Sequence, residues 1–202
     1  MNKEQLFVPG LPDEAFLRAP GVPMTKNEIR VLALAKLRLF PGAVIYDVGA
    51  GTGSISIEAK LLFPSAQVFA VERDPQALEL LMLNRERFGV DLQVVEGSAP
   101  AALHPLPSAD RIFIGGSGGS LAEIIALCDQ KLKPGGFLVI NTISLKNTAQ
   151  AYESLETRGY ELEAVQVNIA VSSPKAAAIM WQARNPVTII SGKKGDGSNA
   201  KR

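Results

Sequence analysis

The chain has one cysteine, one histidine and one tryptophan in 202 residues. A single cysteine, Cys128, excludes an intramolecular disulfide and suits a reducing compartment. One cysteine and one histidine, His104, are too few for an all-protein zinc site of the usual kind, so no bound metal is expected. Charge of one sign is lacking as well. Lys and Arg number 21 against 20 Asp and Glu, a net charge of +1. That gives no global electrostatic argument for nucleic acid, and none is expected as a partner. No apolar run approaches the ~20 residues of a membrane span, so no membrane association is expected. The opening stretch, MNKEQLFVPG, has no apolar core like that of a leader peptide. Together these absences set a cytoplasmic location as the expectation.

Hydrophobic residues make up 47% of the chain, enough for one domain with a substantial core. Residues 1–24 read as an irregular, proline-rich lead-in. Residues 25–190 read as the folded domain, and 191–202, SGKKGDGSNAKR, as a disordered polar tail. Thr25 is placed to cap a first helix, with Glu28 completing a capping box, and Pro41-Gly42 ends that helix near Leu39. Strands at 43–48, 67–72, 92–96, 110–114 and 137–142 then alternate with helices at 54–63, 75–88, 98–103, 119–131 and 146–158. Such alternation implies a mainly parallel sheet. Two β-rich runs, 160–171 and 176–183, have only a short turn between them and predict an antiparallel hairpin. The fold class is α/β: a mainly parallel, Rossmann-like seven-stranded sheet with a C-terminal antiparallel hairpin.

One stretch decides the chemistry. Asp47-Val48-Gly49-Ala50-Gly51-Thr52-Gly53 lies between a strand and a helix, where backbone N–H groups and a helix end converge on one spot. The nicotinamide fingerprint needs a third glycine where Ser54 stands, so that match fails. The G-x-G-x-G pattern led by Asp47 resembles the first motif of class I S-adenosylmethionine (SAM) methyltransferases. A purely structural turn is the bland alternative. Glu72 ends the second strand about 20 residues on, where a carboxylate accepts both hydroxyls of a ribose; a solvated strand end is the alternative. Ser98 and Ala99 end the third strand, where an adenine edge is read in that fold, though Ser98 also fits a helix cap. The loop after the fourth strand, Gly115-Gly116-Ser117-Gly118-Gly119, has no N-P-P-[YF] run, no metal-pairing aspartates and no Pro-Cys nucleophile. It offers room and backbone donors to an acceptor that is already nucleophilic. Lys26 and Arg30, four apart, share a helix face and read as substrate cations or as a solvated surface. Asn141 ends the fifth strand at the same sheet edge. Cys128 reads as a buried small hydrophobe.

The stretches GVPMTKNEIRVLALAKLRL, YDVGAGTGSISIE, AVERDP, VEGSAPAAL, IFIGGSGG and LKPGGFLVINTI together resemble the decarboxylating precorrin-6Y/cobalt-precorrin methyltransferases of cobalamin synthesis. The resemblance runs from Pro12 to Ile190. It implies SAM as methyl donor, held by Thr25, the glycine turn, Glu72 and Ala99. It implies methyl transfer to ring carbon 15 of an anionic tetrapyrrole, with loss of carbon dioxide from the ring C acetate. It also implies a homo-oligomer, a tetramer. Two readings compete: an RNA methyltransferase of the same fold, and a non-catalytic SAM-binding module.

Overall fold

The computed structural model of the chain describes residues 9–175 and 178–196. The end of the expected polar tail, 197–202, lies outside the described residues, as do residues 1–8 of the lead-in. After a 3-10 turn, Asp13–Ala15, come α1 (Asn27–Leu37), β1 (Val44–Val48), α2 (Ser54–Leu62), β2 (Gln67–Glu72) and α3 (Pro75–Arg87). Then follow β3 (Gln93–Glu96), a second 3-10 turn, β4 (Ala109–Ile114), α4 (Leu121–Lys131), β5 (Leu132–Thr142) and α5 (Leu145–Glu156). Four strands close the chain: β6 (Glu161–Val167), β7 (Ala170–Lys175), β8 (Ala178–Ala183) and β9 (Val187–Lys193).

The main sheet has seven strands in the order β3-β2-β1-β4-β5-β9-β6. β1 to β5 pair in parallel, and β9 is antiparallel to both its neighbours. Successive side chains of one strand alternate between the faces. Tyr46, Val48, Ile112 and Ile114 join the core under α4 and α5, while Ile45, Val68, Phe113 and Val139 join the core under α1 and α2. Both faces are covered, so these strands read as apolar runs.

Three expectations change here. The seven-stranded sheet and an antiparallel hairpin are both present, but the hairpin, β7 with β8, is a separate two-stranded ribbon, and β6 pairs with β9 in the main sheet. The run 160–171 therefore spans two strands. β9 also takes in Ser191, Gly192 and Lys193, the first residues of the expected tail. Finally, Thr25 does not cap α1. The cap position is Lys26, with no side-chain cap bond, and the Asn27 N–H donates to Asp13 Oδ1 at 3.0 Å instead.

That aspartate belongs to a buried polar hub. Arg30, expected as a substrate cation, has a fully buried side chain, as has Glu58 of α2. Arg30 Nε donates to Glu58 Oε1 at 2.6 Å, and Nη1 donates to the Thr25 carbonyl at 2.6 Å. Nη2 donates to the Leu11 carbonyl, and Asp13 Oδ1 lies 3.4 Å from Nη1. Glu58 in turn accepts from the N–H groups of Gly10 and Leu11. The guanidinium also lies over the Phe16 ring, 4.8 Å from its centroid. The spacing of four does not make a shared face: Lys26 stands at the cap, partly exposed, whereas the segment before α1 covers Arg30 and turns it into core. The described part of the lead-in, residues 9–24, is poor in regular structure but packed down, and Asn84 of α3 secures it further. Its amide donates to the Leu17 carbonyl and to the Thr52 carbonyl, and accepts from the Leu17 N–H.

Removing one member of a buried, hydrogen-bonded ion pair strands the other. Arg30→Ala should therefore lower stability by about 3–5 kcal/mol in urea denaturation. A change below about 1 kcal/mol would show that the hub is dispensable.

Candidate functional site

β1 runs straight into the glycine turn, which needs a left-handed backbone at Gly49, Gly51 and Gly53 (φ +72°, +56° and +79°). Space matters as much as conformation. A Cβ on Gly49 would stand 2.7 Å from the Gly116 carbonyl oxygen, and one on Gly51 would stand 2.7 Å from the Pro23 carbonyl oxygen. The turn is thus pressed against the GGSGG loop on one side and roofed by the lead-in on the other.

The expected array of free N–H groups is not built. Gly49 and Ala50 donate to the Val71 carbonyl at 2.9 and 3.1 Å. Gly51 donates to Glu72 Oε2 at 2.8 Å, and Glu72 Oε1 accepts from the Arg73 and Asp74 N–H groups. A carboxylate has about four acceptor positions, and three are taken by backbone. Glu72 therefore braces the turn, a role its position at a strand end did not reveal. A carboxylate bound to the turn also makes it a poor seat for pyrophosphate and a compatible one for a cationic ligand.

Asp47 and Thr52 support the turn from below. Asp47 Oδ2 accepts from the N–H and hydroxyl of Ser56 at 3.1 and 2.6 Å, while Oδ1 is buried without a partner. Burial raises its pKa from 3.8 to about 6; the Ser56 bonds oppose this and the Glu72 charge adds to it. Thr52 is fully buried with an unpartnered hydroxyl, so it does not face a ligand. Gly53 packs on Leu81.

Two cavities adjoin over the carboxyl ends of the strands. The first, about 320 Å³, is bounded by Gly49 to Gly51, Glu72, Ala99 and Thr25. The second, about 360 Å³, lies over β4 and β5 beside Lys26, Asn141, Thr142 and Asn147. Pro23, Thr25, Gly115, Gly116 and Ser117 line both, so this strip is the wall between them. Ser98 is exposed and lines neither; among the expected residues it is the one left outside at the third strand. Lys26 is the one cation lining the second cavity among the described residues, and it lies 3.4 Å from Asp13 Oδ2. Asn141 Oδ1 is buried without a partner. Cys128 is buried, and burial pushes its thiol up to about 12.

Sequence reasoning did not single out Pro23, Arg73, Ile143 or Asn147 for this site. Arg73 reaches over Gly118, where an added Cβ would meet its guanidinium at 2.6 Å. Its place right after Glu72 was the available signal. The other three had none, because a bent lead-in and a helix start bring them in.

A family profile described as the precorrin methyltransferase domain matches residues 16–194. The chain belongs to this family. It is 44% identical over 190 residues to a probable cobalt-precorrin-6B C(15)-methyltransferase (decarboxylating) of Sulfolobus acidocaldarius, covering 93% of this chain and 98% of that one. The crystal structure of a precorrin-6Y C5,15-methyltransferase from Geobacter metallireducens superposes with a TM-score of 0.86. It is 42% identical and covers 92% of this chain and 98% of its own. A SAM-dependent O-methyltransferase from Thermotoga maritima shares the fold alone: TM-score 0.72 at 16% identity, covering 89% of this chain and 68% of its own. The family member described here therefore has the α/β fold of SAM-dependent methyltransferases.

Gly51→Val should push the lead-in off the turn, because the backbone is left-handed and the new side chain meets Pro23. Faster proteolysis within residues 9–25 and a lower Tm would register this; unchanged proteolysis would refute it. Asp47 gives a pH signature. Its native pKa lies above its unfolded value, so the native state binds more protons between about pH 4 and 6. The group's favourable contribution is present at the acid end and lost as pH rises through 6. Asp47→Asn should therefore gain stability relative to the parent between about pH 4.5 and 7.5, measured by urea denaturation at each pH.

Proposed function

We propose that the protein transfers a methyl group from SAM to carbon 15 of a precorrin or cobalt-precorrin and promotes loss of carbon dioxide from the ring C acetate, in cobalamin biosynthesis. The observation that carries this reading is the pair of adjoining cavities, separated only by the strip at Thr25, Gly116 and Ser117. A donor on one side and an acceptor on the other meet across that strip.

The first cavity fits SAM. Its glycines give a flat approach, its turn is braced by a carboxylate rather than open to phosphate, and Ala99 leaves space at the adenine end. When bound there, SAM supplies a sulfonium methyl group as electrophile. Thr25, Gly49, Ala50, Gly51, Glu72 and Ala99 would contact it, with Arg73 closing over from the β2 end. Asp47, Thr52 and Gly53 would serve indirectly, by holding the turn.

The chain's part in the chemistry is alignment and exclusion of water. Ring carbon 15 is electron-rich through conjugation, so no strong base is needed. In decarboxylation the bond from methylene to carboxyl breaks, its electron pair enters the conjugated ring, and a proton takes the place of carbon dioxide. The macrocycle is the electron sink. Lys26 supports the reading by giving the acceptor cavity a cation for one carboxylate. Gly116, Ser117 and Asn141 would position the ring edge.

The same reading includes a cytoplasmic homotetramer with no bound metal. Support for assembly comes from the β7–β8 ribbon, which stands apart from the main sheet and exposes Ile179, Met180 and Trp181. A lone two-stranded ribbon is marginal in water, and an exposed apolar patch of this kind marks a contact surface.

Purified protein should convert cobalt-precorrin-6B with labelled SAM to a methylated product, with one carbon dioxide released per methyl, in the presence of a chelator. Label entering RNA but not the tetrapyrrole would favour an RNA methyltransferase instead. Glu72→Ala should weaken SAM binding by roughly ten- to a hundredfold, about 1.5–3 kcal/mol, in calorimetry. Equal affinity in the variant would remove Glu72 from the cofactor site.

A further inference from the structure

The acceptor cavity is too small for its acceptor. At about 360 Å³ it lies near the low end of the ~300–1,000 Å³ typical of sites for drug-sized ligands. A tetrapyrrole carrying acetate and propionate arms is much larger. Only the edge that reacts can enter, and the rest of the ring must lie outside, on whatever surface adjoins the mouth.

That surface is the β5–α5 connection. Ile143 lines the cavity and is 75% exposed, and Leu145, two residues on, is 88% exposed. Outside the β7–β8 ribbon these are the two most exposed large apolar side chains among the described residues. Their exposure does not come from a loose loop. Ser144 Oγ accepts from the Asn147 N–H at 3.2 Å and caps α5. Thr148 donates from its hydroxyl to the Ser144 carbonyl at 3.0 Å, and the hydroxyls of Thr142 and Thr148 lie 2.6 Å apart. Capping at Ser144 and the threonine pair hold the segment from both sides. Two aliphatic side chains are thus held out to solvent by a fixed backbone, at the rim of the site.

We propose that Ile143 and Leu145 form an apolar shelf on which the face of the macrocycle rests while its ring C edge enters the cavity. The shelf is a substrate-binding element for the reaction proposed above, and rests on that reading. It selects a broad, flat, conjugated acceptor over a small one. An apolar surface suits the ring's π face, and the carboxylate arms around the ring stay in water. The shelf also explains how one cation, Lys26, suffices in the cavity: most of the acceptor's charge never enters it.

The test is an absorbance titration of cobalt-precorrin-6B into the full chain and into the double variant I143S/L145S. Both side chains lie on the surface, so the variant should keep the parent Tm and SAM affinity. Its dissociation constant for the tetrapyrrole should rise about tenfold or more. The double variant M82S/L83S, which removes two exposed apolar side chains of α3, should bind the tetrapyrrole as the parent does. Equal binding by I143S/L145S and the parent would overturn the shelf and leave the proposed function standing. Weaker binding accompanied by a changed sedimentation coefficient would also overturn it, assigning the loop to contact between copies. A parent protein that does not bind the tetrapyrrole would overturn the function itself.

Discussion

The pairing of Arg30 with Glu58 fixes the position of everything above the glycine turn. A guanidinium and a carboxylate, both out of water, are stable only with their remaining hydrogen-bonding positions filled. The lead-in fills them: Gly10 and Leu11 give N–H groups to Glu58, and Leu11 and Thr25 give carbonyls to Arg30. Electrostatic necessity thereby binds a segment with almost no regular structure at two points, one on each side of the 3-10 turn. Between Leu11 and Thr25 the chain has little freedom to leave, and Pro23 comes to rest on Gly51. The roof over both cavities is held by this buried charge pair rather than by secondary structure.

The turn below that roof shows a different economy. Three glycines in alternation suggest an open cradle of donors, yet Val71, Glu72 and, for Gly53, the Ala50 carbonyl accept those donors. What glycine supplies here is closeness: to Gly116, to Pro23 and to Leu81. The resulting surface is flat and carries a negative group, which fits a sulfonium better than a phosphate. A glycine motif alone does not distinguish these uses; the partner of each N–H does.

Much of the α/β order was legible because each signal was local. The helix expected at 75–88 and the apolar runs of β1, β2 and β4 lie within a residue of where they were read; at α3, Pro75 stands in the first turn and Asp74 accepts from the Ala77 N–H. What failed was set by distant contacts. Arg30 points inward because a segment earlier in the chain covers it, while Lys26, before the helix, stays at the surface. β9 was missed because a short run with three apolar residues, Val187, Ile189 and Ile190, leads into Ser-Gly-Lys-Lys; pairing with β5 and β6 carries the strand through Lys193 against that composition. Of the residues that a motif announces, Gly49, Gly51, Glu72 and Ala99 line the first cavity. Ser98 is a neighbour that points away, and Asn147 and Ile143 enter through the geometry of a helix start.

The late arrival of β9 divides the site by time of synthesis. The cofactor half is built at the ends of β1, β2, β3 and β4, with Ala77 of α3 and Ile124 of α4, from residues that leave the ribosome before β9. The far wall of the acceptor half needs Asn141 and Thr142 paired with Ile189 and Thr188, and Val187 beside them. Only when the chain has grown past Lys193, the end of β9, can that wall close. A nascent chain can therefore possess a nearly finished donor pocket while the acceptor pocket is still open on one side. In this fold the C-terminal strand acts as the closing act of assembly.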